Sequence, residues 1–92
     1  MSWNPSPDFD YDQLRNLDVY GAKGNKIGSI DQVLTDTTTH RHYLLVKAGP
    51  LGLGTEDYYI PETAIDMVGQ DRVVIDKTED QLKSSGWTKP PR

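Results

Sequence analysis

The sequence predicts an all-β domain: a small β-barrel of five to six short antiparallel strands with one short C-terminal helical turn. Short apolar runs recur at close spacing along the 92 residues, separated by turn-forming residues, a pattern typical of barrels and sandwiches. One run, Tyr43 to Val46, is apolar on both faces, which places it in the centre of a curled sheet. Gly28, inside the longest predicted strand, supplies the bend that a small barrel needs to close.

The stretch from Arg41 to Pro61 organises the predicted fold. Its apolar run, Tyr43 to Val46, is too short to span a membrane and too β-branched and aromatic-flanked for a helix. The glycine-rich loop 49–54 follows, and a second strand runs from Asp57 to Ile60. Two such runs joined by a Gly/Pro loop predict a β-hairpin with a long connection.

The remaining elements flank this hairpin. Asp18 to Tyr20 is a short predicted strand, and Lys26 to Asp36 is one long strand kinked at Gly28. Ala64 to Val68 and Arg72 to Ile75 complete the strands. The predicted turns between these elements are residues 21–25, 37–40 and 69–71.

The C-terminal helical turn has a start signal in the sequence. Thr78 and Gln81 have capping-box spacing, in which each side chain satisfies a backbone N–H group near the other residue. Leu82 should then pack inward.

The predicted domain boundaries are an N-terminal arm over 1–16, the barrel over 17–83 and a C-terminal tail over 84–92. Asp12 is expected to cap a short turn within the arm. Each tail carries an isolated tryptophan. For Trp3 a disordered end is the favoured interpretation, and docking on the barrel or on a neighbour is the alternative.

Composition excludes several functional classes. The chain has no cysteine, which removes disulfides, thiolate nucleophiles and cysteine-based zinc sites. Its net charge is −4 and its ten basic residues are scattered, so sequence-independent nucleic-acid binding is disfavoured. Mean hydropathy is −0.67, and no apolar stretch has the length of a signal peptide or membrane span. We expect a cytoplasmic protein without a membrane span.

The order of features resembles the PRC-barrel family between Leu17 and Leu82. Five pieces carry the resemblance: G-N-K-I-G-S-I-D-Q-V-L-T-D, H-Y-L-L-V, G-P-L-G-L-G, Y-Y-I-P and R-V-V-I-D-K-T-E-D-Q-L. The resemblance implies a small PRC-type β-barrel that serves as a protein-interaction or assembly module, not a catalyst. The family includes the cytoplasmic domain of the photosynthetic reaction-centre H subunit and the C-terminal domain of the ribosome-maturation factor. Since the sequence shows neither the transmembrane helix of the first nor the RNA-associated domain of the second, neither role is carried over.

No complete motif for catalysis, a cofactor or a metal is found, so we expect none of the three. His40 and His42 could share one face of a strand and hold a metal, but no third ligand is near in sequence, and an exposed strand end is favoured. Asp8, Asp10 and Asp12 match the start of a calcium loop, whose glycine and final glutamate are missing. The glycine-rich loop lacks the lysine and helix of a phosphate-binding loop.

Three residues are candidates for partner contact. Leu51 and Leu53 lie in the glycine-rich loop, where apolar side chains either fold back on the core or form an exposed patch. In the strand that follows, Tyr58 and Ile60 should face one side and Tyr59 the other. With Ile60 in the core, Tyr59 points outward, where tyrosines often serve at interfaces. A tyrosine lying flat on the barrel rim is the alternative.

These observations predict a non-enzymatic interaction or assembly module that self-associates, with a homodimer as the expected form. The partner protein is not identified by the sequence. The alternative function is a small barrel associated with nucleic acid or the ribosome, since small barrels do bind RNA and DNA.

Overall fold

The computed structural model describes Trp3, Pro5, Ser6 and residues 8–48 and 56–88. Six strands form one sheet in this part of the chain. The strands are β1 (Asp18–Tyr20), β2 (Lys26–Thr35), β3 (His42–Ala48), β4 (Glu56–Pro61), β5 (Ile65–Val68) and β6 (Arg72–Ile75). A short 3-10 turn, Tyr11–Leu14, precedes β1, and another, Glu62–Ala64, joins β4 to β5. The helix α1 (Glu79–Lys83) follows β6.

The strand order shows that the sheet is curled. It runs β4-β3-β2-β1-β6-β5, so the two edge strands, β4 and β5, are consecutive in the chain. In a flat sheet, five gaps of about 4.8 Å would put these edges about 24 Å apart. The connection, Glu62–Ala64, is three residues of 3-10 helix, which rises only about 6 Å. The edges must therefore lie close together, which confirms the predicted all-β, barrel-like fold.

One pairing differs from the prediction of antiparallel strands throughout. Four pairings are antiparallel, but β1 and β6 run parallel, with Asp18 opposite Arg72 and Tyr20 opposite Val74. A parallel pair needs a long connection, and here β2 to β5 supply it. Alternation of apolar and polar residues identifies a strand but carries no information about the direction of its partner, which is why the sequence missed this pairing.

The strand β3 lies between β2 and β4 and carries much of the core. Leu44 and Val46 have no exposed surface. They pair with Ile60 and Tyr58 of β4 in an unshifted antiparallel register, which confirms the predicted hairpin. The remaining core residues come from the other strands apart from β4, from β3 itself, from the two 3-10 turns named above and from α1: Leu14, Val19, Ile27, Ile30, Ala48, Ala64, Ile65, Val73, Ile75 and Leu82.

The strand β2 is long and irregular, as predicted. Its register against β1 shifts between Gly28 and Lys26, next to the predicted kink, but its irregularity in the β3 pairing is not at Gly28. The register against β3 shifts between Ile30 and Gln32, which places a bulge at Asp31. Gly28 has a different role. A Cβ atom there would collide with the carbonyl oxygen of Lys47 and lie 2.9 Å from its carbonyl carbon. The backbone of β3 therefore approaches too closely for any side chain at this position.

The predicted capping box is present at α1. Thr78 Oγ1 accepts from the Gln81 N–H at 3.2 Å, and Gln81 Oε1 accepts from the Thr78 N–H at 2.8 Å. At the first 3-10 turn the prediction was wrong by two residues. Asp10, not Asp12, is the cap, with its carboxylate accepting from the Asp12 N–H at 3.0 Å. The reason is that a capping carboxylate must precede the turn whose free N–H groups it satisfies.

Candidate protein-interaction surfaces

The outer face of β2, β3 and β4 carries a stripe of apolar side chains. Along β4, Tyr58 and Ile60 point into the core with at most 1% of their surface exposed, whereas Tyr59 faces outward and is half-buried. This confirms the predicted alternation. Strand register places further apolar residues on the same face beside Tyr59. We call the set the outer stripe: Leu34, Tyr43, Leu45, Tyr59 and Pro61.

Leu45 is the most enclosed member of the outer stripe. It is 9% exposed, yet it is absent from the core cluster. Its register partners on either side are Tyr59 and Gln32. Neighbours on the outer face, not the barrel interior, therefore cover Leu45. The accessible apolar surface of the outer stripe therefore lies on its other four members, which are half-buried, and contiguous apolar surfaces mark contact sites more often than isolated apolar residues do.

The two loop leucines proposed as partner contacts, Leu51 and Leu53, lie outside the described residues, as does the glycine-rich loop that carries them. At the base of that loop, Lys47 and Asp57 face each other across β3 and β4 and form an ion pair of 3.3 Å. Both side chains are about two-fifths exposed. This pair borders the outer stripe on the loop side.

A second candidate surface lies where the N-terminal residues dock on the barrel. We call the described residues Trp3, Pro5, Ser6 and 8–11 the N-terminal strap. The Trp3 N–H donates to the carbonyl oxygen of Ile65, at the start of β5, at 3.1 Å. Trp3, Phe9 and Tyr11 are half-buried against the core cluster. The favoured prediction of a disordered end was therefore wrong for Trp3, and the alternative of docking on the barrel describes it.

Aromatic contacts run from the strap to the barrel. The rings of Trp3 and Phe9 meet edge to face with centroids 5.1 Å apart, and Phe9 and Tyr11 meet likewise at 5.1 Å. Tyr11 then stacks on the ring of His42, the first residue of β3, with centroids 3.7 Å apart and planes 19° from parallel. Edge-to-face and stacked pairs are the favoured aromatic geometries. The three strap rings therefore form one continuous chain of contacts that ends on His42.

Glu62 is the polar anchor of the strap. The Tyr11 hydroxyl donates to Glu62 Oε2 at 2.6 Å, and the His42 N–H donates to Glu62 Oε1 at 3.4 Å. Burial, the hydrogen bond to Glu62 and the charge of that carboxylate together raise the pKa of Tyr11 to about 12. The phenol therefore remains a neutral donor at every physiological pH. The His42 ring also contacts β2, because its Nδ1 lies 3.1 Å from Thr35 Oγ1.

The two histidines do not share a strand face. His40 lies in the turn before β3, with a φ of 60°, and only His42 belongs to the strand. The His42 ring is already occupied by Tyr11 and Thr35. Within the described residues, no group of three or more His, Cys, Asp or Glu side chains has metal-site geometry.

Both edges of the sheet are contacted by a terminal segment. At β4 the Tyr59 N–H donates to the Trp87 carbonyl oxygen at 2.6 Å, and at β5 Ile65 accepts from Trp3. Trp87 also packs against the core cluster. Sequence reasoning offered docking of Trp3 as an alternative but named neither partner strand, because each contact joins segments far apart in the chain. The available signal was an isolated tryptophan in each tail, a large apolar side chain that favours burial.

Charged groups on the described surface are mixed in sign. Four cations lie within 4 Å of an aspartate, and Arg72 also covers the ring of Tyr20 at 4.8 Å from its centroid. The ion pairs are Lys26–Asp18, Lys47–Asp57, Arg72–Asp71 and Lys77–Asp76. A phosphate approaching any of these cations would have to compete with a carboxylate, which agrees with the scattered basic residues seen in the sequence.

Comparison with known proteins assigns the family. The family model of the PRC-barrel domain matches residues 7–82, most of the chain. The chain belongs to the PRC-barrel family. The five sequence pieces that suggested this family lie within the matched region, and the curled six-stranded sheet agrees with it.

Among solved structures, the ribosomal RNA processing protein RimM of Pseudomonas aeruginosa is similar, with a TM-score of 0.66 and 22% identity. The match covers 82% of this chain and 47% of that one, so the chain spans about half the length of RimM. At this identity the likeness concerns the fold. No curated protein is significantly similar to the chain. Among the described residues, no helix has the length and apolar character that crossing a membrane requires.

Proposed function

We propose that the chain is a non-enzymatic interaction and assembly module of the PRC-barrel type, which binds a protein partner and associates with itself as a homodimer in the cytoplasm. The proposed contact residues are Tyr59 and, from the loop, Leu51 and Leu53. The single observation that carries the proposal is the outer stripe, a run of apolar side chains on the solvent side of β2, β3 and β4.

The outer face supports this role better than the strand edges. An open sheet edge can pair with another copy of the chain. Each edge strand, however, already shares a backbone hydrogen bond with a terminal tryptophan, Trp87 at β4 and Trp3 at β5. Pro61, at the end of β4, has no N–H to offer a neighbouring strand. We therefore place the self-contact on the face around Tyr59.

The test compares two half-buried outer-face tyrosines, Tyr59 on β4 and Tyr20 on β1. Sedimentation equilibrium at micromolar protein concentration should show a dimer for the wild type and for Tyr20→Ser. Tyr59→Ser should weaken the dimer at least tenfold, because tyrosines at the centre of an interface contribute a large share of its affinity. Leu51→Ser and Leu53→Ser should weaken it as well.

A wild-type chain that stays monomeric at all concentrations would remove self-association and leave only a partner protein on this face. Equal weakening by Tyr20→Ser and Tyr59→Ser would mean that the outer stripe is not the contact. Thermal melting of each variant separates a lost contact from a lost fold.

A second candidate function is association with the ribosome or with RNA, which the likeness to RimM favours. The net charge of −4 and the paired cations argue against a large phosphate footprint. Fluorescence anisotropy with a labelled single-stranded RNA at low salt decides between the two. Tight binding that weakens steeply with salt would favour this candidate over the protein-interaction module.

A further inference from the structure

We propose that the N-terminal strap is a displaceable cover over a peptide-binding groove, and that the groove accepts a basic, aromatic segment of a partner protein in place of the strap. The groove is formed by His42, Glu62 and Ile65, from the start of β3, the 3-10 turn and the start of β5. This surface is separate from the outer stripe, and the inference does not depend on self-association.

The strap shows what the groove recognises. The Ile65 carbonyl, on an edge strand, accepts a main-chain N–H from the strap. The His42 ring stacks with an aromatic side chain, and Glu62 accepts a hydrogen bond from a side-chain donor. A main-chain acceptor on a sheet edge, with side-chain sites beside it, is the arrangement by which barrels and sheets take up an added peptide.

The strap fills this groove with few fixed bonds. Among the described residues, its main chain gives the barrel one hydrogen bond, from Trp3 to Ile65. Pro5 has no N–H and cannot extend that pairing. The Phe9 N–H donates to Ser6 within the strap itself, at 3.0 Å. In the described residues the strap is therefore held by this one main-chain bond, by its aromatic rings and by the Tyr11–Glu62 hydrogen bond, and side-chain contacts of this kind are individually weak.

Charge makes the strap a poor match for the groove. Asp10, in the strap, and Asp12, just after it, flank Tyr11, whose hydroxyl is bonded to Glu62, so acidic residues lie at the end of the barrel that carries Glu62. In the described part of the chain, neither of them nor Asp8 has a lysine or arginine within 4 Å. Arg15 and Arg41 are exposed cations that form no ion pair with another described residue. Like charges on the same small surface repel, so the strap docks against an electrostatic cost.

A basic segment would reverse this cost. With the strap displaced, Glu62 keeps the hydrogen bond from the His42 N–H and has acceptor capacity left for a lysine or arginine. Lysine or arginine in place of Asp8 and Asp10 would bring positive charge to the end of the barrel that carries Glu62, where the strap brings negative charge. The aromatic sites and the Ile65 carbonyl would be used unchanged. The occupant that fits is thus a segment with aromatic residues spaced as in the strap and with basic residues between them.

The experiment uses a labelled peptide of residues 3–11 carrying Asp8→Lys and Asp10→Lys, acetylated so that its first N–H is an amide. Anisotropy is measured with the full-length wild type and the full-length Trp3→Ala variant. The Trp3→Ala variant should bind the peptide at least tenfold more tightly than the wild type. In the wild type the docked strap competes with the peptide for the groove and so lowers the apparent affinity. The unsubstituted peptide should bind more weakly than the basic one, and the difference should shrink with salt. Adding Glu62→Gln to Trp3→Ala should weaken the basic peptide.

Several outcomes overturn the proposal. Equal affinity of the wild type and Trp3→Ala, or no binding to either, would make the strap a fixed part of the barrel. A wild-type dimer that Trp3→Ala converts to monomer would assign the groove to the strap of a second copy. If Trp3→Ala does not melt cooperatively, a chain lacking residues 1–6 takes its place, since it loses Trp3 but keeps Phe9 and Tyr11. Its affinity for the peptide is then compared with that of the wild type.

Discussion

The strand β3 and the N-terminal strap both bury apolar side chains, but they are held in different ways. In β3, Leu44 and Val46 have no exposed surface and hydrogen-bonded ladders run along both sides of the strand. In the strap, Trp3 and Tyr11 remain half-buried, and one main-chain hydrogen bond reaches the barrel from the described residues. A segment therefore belongs to the cooperative core only when its backbone is hydrogen-bonded to its neighbours as well as its side chains being buried.

The physical cause is the coupling between backbone and side chains. Removing β3 would leave unpaired backbone groups on both β2 and β4, and buried unpaired groups are costly. Removing the strap would leave the Ile65 carbonyl and the Glu62 carboxylate, and groups at an edge can bond to water instead. Elements with few backbone bonds and partial burial open at lower free energy than the core does.

The largest expected effect comes from the core side of this comparison. Leu44→Ala removes a fully buried side chain, and such truncations cost about 2–5 kcal/mol against a total stability of roughly 5–15 kcal/mol. We expect a largely unfolded or aggregating protein, measured by thermal or urea denaturation. Leu34→Ala is the matched control, because Leu34 is half-buried on the outer face of the neighbouring strand and should cost much less. Similar losses for both leucines would contradict the distinction between core and outer stripe.

A smaller but clear loss is expected where β2 and β3 approach most closely. Gly28→Val would drive a side chain into the Lys47 carbonyl, and forced overpacking typically costs about 1–3 kcal/mol. The control is Gly69→Ala, where the nearest atom to an added Cβ is 3.6 Å away, an ordinary contact. The urea midpoint should fall for Gly28→Val and stay near the wild type for Gly69→Ala. A midpoint that rises at Gly28 would show that the two backbones are not in contact there.

The strands and their faces could be predicted from the sequence because they depend on local pattern. Alternation at Tyr58, Tyr59 and Ile60 fixed which tyrosine faces outward, and the spacing of Thr78 and Gln81 fixed the cap of α1. In both cases neighbours within a few residues determine the geometry. The outward position of Tyr59, the one candidate contact residue that the structure describes, was reached in this way.

The features that the sequence did not reveal are pairings between distant segments. The parallel register of β1 with β6 joins residues more than fifty positions apart, and the bond from Trp3 to Ile65 joins more distant ones still. The cluster of Tyr11, His42 and Glu62 was missed for the same reason. One local signal for it existed: Phe9 and Tyr11 alternate with acids, and this spacing of two can place both rings on one side.

The smallest expected effect concerns the strap and its dependence on pH. In the unfolded chain the pKa of Tyr11 is near 10.0, and in the folded chain it is about 12. The folded state thus holds the phenol proton more tightly, and this contribution to stability is fully present below pH 10 and is lost as the pH rises towards 12. Tyr11→Phe keeps the ring stacked on His42 but removes the donor to Glu62, at a cost of about 1 kcal/mol near neutral pH.

Urea denaturation at about pH 8 and about pH 11 measures this effect for the wild type and for Tyr11→Phe. The wild-type advantage should shrink at the higher pH, because the unfolded tyrosine ionises while the folded one resists. Both proteins contain the same other tyrosines, so the effect of their titration on stability cancels when the free energies of unfolding of the wild type and Tyr11→Phe are subtracted. An advantage that is unchanged at high pH would show that the Tyr11 hydroxyl is not bonded to Glu62. The strap would then be held by its rings alone, and the difference between it and β3 would be larger still.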